Sequence, residues 1–171
     1  MAGLLGPKGR KLALAVHLLF VALWFGAAIA MVLLVFAQPR GLKDDLELIA
    51  YCRCVKLIDD YIIIASAGGT LLSGAFLAWR TKWGFFVWYW IAFKLIATLA
   101  MVAFGATCLG PWINMRYEIA RSSGIEALHD AAFQLATDRV QFWGTLQILL
   151  LAAVVVISIF KPWGKIPSRN V

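Results

Sequence analysis

Two side chains in this 171-residue sequence join chemical capability to an unusual setting. Lys94 stands in an apolar run from Phe85 to Gly110 that carries no other charge, and His17 stands in the first apolar stretch. A lysine in lipid costs roughly 3 kcal/mol on insertion scales, so such residues normally face a partner, a cavity or a cofactor. His17, Trp24 and Met31 recur at seven-residue spacing on one helical face, offering a nitrogen ligand, a flat aromatic surface and a soft sulfur. That set suits a porphyrin, because a b-type heme wants an axial ligand, apolar walls and a cation near its propionates. Each residue also has a plainer reading. His17 could be polar glue hydrogen-bonded to a neighbouring helix, and Lys94 could extend its stem toward the nearer interface.

The remaining polar residues carry less chemistry. Asp59 and Asp60 open the second apolar stretch with Lys56 four residues before Asp60, the spacing of a local helical salt bridge. An ion site or a propionate-facing site is the alternative there. His129 beside Asp130 reads as an interfacial histidine, and becomes the leading iron ligand if a cofactor sits at the opposite end from His17. Asn114, Gln141, Thr145 and Gln147 read as polar groups satisfied between helices. Cys52 and Cys54 lie one residue apart and Cys108 is distant, which is no metal pattern. A disulfide from Cys108 to one of the pair is one outcome, and three buried free thiols are the expected one. No nucleophile elbow, P-loop, dinucleotide fingerprint or zinc-protease motif is present.

The elements that must position these residues follow from composition. At 63% apolar and a mean hydropathy of +0.83, the chain is too hydrophobic for a soluble domain of its size. Residues 12–37, 57–79, 86–110 and 140–160 are each long enough to cross a bilayer, which takes about 20 apolar residues. The first run is too long for a signal peptide and no small-residue cleavage site follows it. The expectation is an all-α, four-helix transmembrane bundle forming one domain over residues 1–171. Helical spacing from Leu42 extends the second helix backwards. Ser123 and Glu126, at capping-box spacing, start the fourth at Gly124, so helices 2 and 4 project beyond the bilayer. Gly110-Pro111 reads as the end of the third. Ala22, Gly26 and Ala30, and Ala65, Gly69 and Ser73, have the spacing that lets helices approach within a bundle. Trp79, Trp83, Trp88, Tyr89, Trp90 and Trp163 read as one interfacial belt, and Trp112, Tyr117 and Trp143 as the other.

Charge sets the orientation. Lys8, Arg10, Lys11, Arg80, Lys82, Lys161 and Lys165 flank span ends in short segments on the side of both termini. The positive-inside rule therefore puts N- and C-termini in the cytoplasm. The net charge of +7 reflects that bias and contact with anionic lipid rather than nucleic acid. Counting 1.5 Å per residue, His17 lies about 9 Å above Lys11 and Lys94 about 15 Å above Gly84, so the two share a depth near the termini.

Five segments carry a resemblance: HLLFVALWFG at 17–26, KLIDD at 56–60, KWGFF at 82–86, Lys94 itself, and FGATCLGPW at 104–112. Together they resemble a family of small bacterial four-helix membrane proteins related to the heme-sensing or heme-capturing membrane proteins of clostridia. The H-x6-W-x-G pattern is also similar to the first helix of copper-resistance and protoporphyrinogen-oxidase-type membrane proteins. The resemblance implies a heme or porphyrin ligand, with His17 as axial ligand to iron and sequestration, sensing or electron transfer as the role. Two histidines at opposite ends leave no bis-histidine site within one chain. The sixth position would then be empty or held by Lys94 as a neutral amine, whereas a cationic Lys94 would pair with a propionate. The protein would not be an enzyme, and its partners would be the bilayer of the cell membrane, heme, and a further copy or a redox protein. A membrane scaffold or subunit without cofactor is the competing class. A proton or solute carrier using Lys94 is a third, disfavoured by the single lysine and the lack of a deep carboxylate.

Overall fold

The computed structural model describes residues 5–37, 41–42, 44–81, 84–85 and 87–166. The turn expected at Gln38-Pro39-Arg40, together with Lys82 and Trp83, lies outside them. Four helices are long and apolar enough to cross a membrane: α1 (Pro7–Phe36), α2 (Asp45–Arg80), α3 (Tyr89–His129) and α4 (Ala131–Phe160). Consecutive helices pack antiparallel, and α4 closes the bundle against α1. No strand forms among the described residues, where only an isolated bridge joins Trp88 to Lys165. Both termini lie at one end of the bundle, called here the terminal end, and the α1–α2 and α3–α4 connections lie at the far end.

Local chemistry explains most boundaries. Pro7 sits in the first turn of α1, where a missing N–H costs nothing. Asp44 caps α2 by accepting from the Glu47 N–H at 2.8 Å, so that helix begins three residues after the expected Leu42. The Ser123–Glu126 capping box does not form, and residues 124–129 make a tight 3-10 turn instead. Asp130 is the cap, accepting from the Ala132 and Phe133 N–H groups, and α4 starts at Ala131 rather than at Gly124.

The third helix departs most from expectation. Gly110-Pro111 does not end it. A π-turn over Gly105–Leu109 sends the Gly110 N–H to the Gly105 carbonyl, and Pro111 then falls in the first turn of the next α-helical segment. A widened turn lets the chain pass a residue that would otherwise clash with the carbonyl four positions back. A second π-turn, Ile58–Ile63, interrupts α2. The far-end extension is thus shared by α2, α3 and α4.

Packing differs sharply along the bundle axis. The far end has a close-packed core: Val35, Leu48, Val55, Ala120, Ala127 and Val140 are 0% exposed. Toward the terminal end that core stops. No residue of α1 before Trp24 is buried and none of α4 after Leu151. Beyond Thr70, α2 buries only Ala78, and before Met101 α3 buries only Trp90 and Ile91. Small residues tighten the rest unevenly. Gly69 lies against Phe20 and Gly144 against Val32, but Gly26 has nothing within 4 Å and Ala22 and Ala30 are exposed. The small-residue stripe of α1 therefore faces outward instead of joining α1 to a neighbour. Trp90 also leaves the expected belt, being 6% exposed.

Candidate functional site

The half-buried imidazole of His17 sits in the loosely packed terminal half. Its Nδ1 lies 2.9 Å from Ser73 Oγ on α2. Ser73 has a single hydroxyl hydrogen, and its Oγ lies 2.5 Å from the Gly69 carbonyl and 3.3 Å from that of Thr70. The hydrogen goes to those carbonyls, so toward His17 the serine oxygen accepts. A neutral ring then carries its proton on Nδ1 and presents a bare lone pair at Nε2, for which no hydrogen bond forms among the described residues. Gly74 makes room for the ring: a Cβ there would come within 3.2 Å of His17 Cε1. A ligating histidine is ordinarily oriented in this way, with its second nitrogen held by a partner.

Lys94 reaches this neighbourhood from α3. Its ammonium is within electrostatic range of His17, as the depth count along the sequence requires. It also lies 5.1 Å above the Trp90 ring, one turn nearer the terminal end, and Lys161 sits 5.9 Å from the same ring. No carboxylate pairs with Lys94 among the described residues. Two orphaned polar groups mark the boundary between the loose and packed halves. Trp24 Nε1 and Thr70 Oγ1 are buried and make no hydrogen bond among the described residues. Groups of that kind call for a water or a ligand.

The other residues singled out from sequence are scattered. Trp24 is 1% exposed in a cluster with Ala67, Met101 and Leu151, so its ring faces are already covered. Met31 belongs to a separate far-end cluster with Val32, Val35 and Ile113. Fourteen residues from His17, it stands about 21 Å along the helix, out of reach of one iron shared with His17. His129 is exposed at the tip of the far end. Lys56 and Asp60 form the expected pair at 2.7 Å, and Lys56 also bonds Asn114 across the α2–α3 seam. Gln141 donates to the Val35 carbonyl on α1, whereas Thr145 bonds within its own helix. Cys52, Cys54 and Cys108 are free, and no group of three metal-ligating side chains exists among the described residues.

One residue escaped the sequence reading altogether. Arg116 is 1% exposed, donates from Nε to Thr137 Oγ1 at 2.9 Å, and lies 5.1 Å from the Phe133 ring and 5.9 Å from Tyr51. Tyr51 in turn donates to the Leu34 carbonyl, so this cluster ties all four helices together. Burial pushes the Cys52 thiol and the Tyr51 hydroxyl up, and the nearby guanidinium offsets part of each shift. A packed, protonated thiol is a structural one. The sequence signal for Arg116 was its register, three residues after Ile113 and four before Ala120, both buried. No protein-family model, curated protein or solved structure matches the chain.

Proposed function

We propose that this chain is an integral protein of the cell membrane, termini cytoplasmic, that binds one b-type heme in the terminal half of its bundle through His17. The supporting observation is the pairing of a ligand-like imidazole with a loose half. Nδ1 is held by Ser73, Nε2 is unengaged, and the helices around it bury little against one another. Bound there, heme supplies a redox-active, ligand-binding iron. The chain's own groups orient the imidazole (Ser73), clear its edge (Gly74) and offer a cation for a carboxylate (Lys94). Trp24 bounds the site on the far side, and Met31 stays in the core beyond it. The recesses lined by Phe133, Gln134, Thr137 and Asp138 and by Tyr89, Phe93 and Trp163 lie elsewhere, so the terminal halves of the helices must part to seat a porphyrin.

The contact between Lys94 and Trp90 favours a second reading, a scaffold whose polar groups are satisfied without any cofactor. Titrating the purified chain with hemin separates the two. Heme binding predicts a Soret band and tryptophan quenching that saturate at one equivalent. A linear, unsaturable response identical to that of empty micelles would leave the scaffold.

A further inference from the structure

Asp59 is the most anomalous group outside the His17 site. Its side chain is 8% exposed, inside an apolar stretch, and it makes no hydrogen bond or ion pair among the described residues. Its neighbours cannot balance its charge. Lys56, three residues before it, is matched by Asp60 and tied to Asn114. From Phe20 to Phe36, α1 offers no titratable group, and α3 offers only Cys108 between Gly105 and Met115. The carboxylate instead meets bare backbone, since Oδ2 lies 3.6 Å from where a Cβ on Gly110 would sit. Both helices carry their π-turns here, with the Ile64 N–H bonded to the Asp59 carbonyl and the Gly110 N–H to Gly105. π-turns occur often at functional sites, and an ionisable group within a span is a functional candidate by default.

We propose that Asp59 is an exchange site for a monovalent cation, a proton or an alkali ion, loaded from the far aqueous face along the α2–α3 seam. A buried carboxylate needs a counter-charge, and its own chain gives it none that is free. The route is short. Lys56 and Asp60, with side chains 27% and 35% exposed, stand at the mouth of the seam immediately outward of Asp59. The proposal is independent of heme.

A hydrophobic carbodiimide tests it, because the reagent adds to protonated carboxyls in apolar surroundings. The full chain in lipid nanodiscs would be treated across a pH series, with sodium replacing choline at constant ionic strength, and its peptides weighed. The expected result is an adduct on Asp59 and none on Asp60, fading as pH rises and lost in Asp59→Asn. Protection by sodium at fixed pH identifies the alkali ion as the occupant, and indifference to sodium identifies the proton. Absence of an Asp59 adduct at every pH, or equal labelling of Asp59 and Asp60, overturns the proposal. The wild-type chain alone decides it, whether or not the Asn variant folds.

Discussion

The two ends of this bundle hold their polar residues in opposite ways. At the far end Arg116 is sealed among Tyr51, Phe133 and Thr137, inside a core with several side chains wholly buried. At the terminal end His17 and Lys94 stand among helices that bury almost nothing against each other. The far end uses its charge to join helices. The terminal end keeps its imidazole and ammonium in reach of something else. Stability and ligand capacity are thereby separated along one axis, the division expected when functional segments come from the less stable part of a fold.

The strongest way to break this comparison is to remove one cation from each end. Arg116→Leu loses a hydrogen bond and two ring contacts in a sealed core, and we expect a loss of about 3 kcal/mol in stability. Lys94→Met should be neutral or slightly stabilising, because an apolar side chain replaces a charge in lipid. Thermal unfolding in detergent, monitored by tryptophan emission, measures both. Equal losses would erase the distinction. If Lys94 serves the heme, its substitution should instead shift the hemin-bound spectrum.

Glycines sharpen the same point with a smaller effect. A Cβ on Gly144 would lie 2.7 Å from Val32 Cγ2, a rigid branched methyl, so Gly144→Ala should cost about 1–3 kcal/mol through overpacking. Gly74→Ala meets only the His17 ring, at 3.2 Å, where neighbouring helices leave it room to move. We expect little change in its unfolding temperature but weaker hemin binding, read in one titration beside the wild type.

How far the sequence carried depended on the kind of signal. Apolar run length marks four spans without reference to their packing, and Lys56–Asp60 needed only four-residue spacing. Rise per residue put His17 and Lys94 at one depth. What a one-dimensional pattern could not carry was turn geometry. A π-turn uses the same residues as an α-turn, so Gly110-Pro111 read as a stop and the burial of Asp59 against Gly110 went unseen. The stripe of Ala22, Gly26 and Ala30 has contact spacing, yet spacing does not say which face of α1 looks inward. Arg116 was passed over as a surface charge, although its register with Ile113 and Ala120 puts it in the core.

The smallest expected effect is a pH dependence at the far end. Burial holds the Tyr51 hydroxyl above its ordinary value near 10. A group whose folded pKa is raised stabilises fully below its unfolded pKa and loses that contribution as pH rises through the folded one. The far end should therefore loosen only in strongly alkaline solution, and Tyr51→Phe should remove that part of the alkaline loss. Unfolding temperatures of the two proteins from neutral pH upward would show it.

The measurement closest to the central claim compares the two histidines in one preparation. His17→Ala and His129→Ala, each titrated with hemin in the same detergent, place the iron ligand at one end of the bundle or the other. The account predicts that His17→Ala abolishes or strongly shifts the Soret band while His129→Ala keeps the wild-type spectrum. A wild-type spectrum in His17→Ala, with loss in His129→Ala, would put the ligand at the far end and contradict the division of labour drawn here.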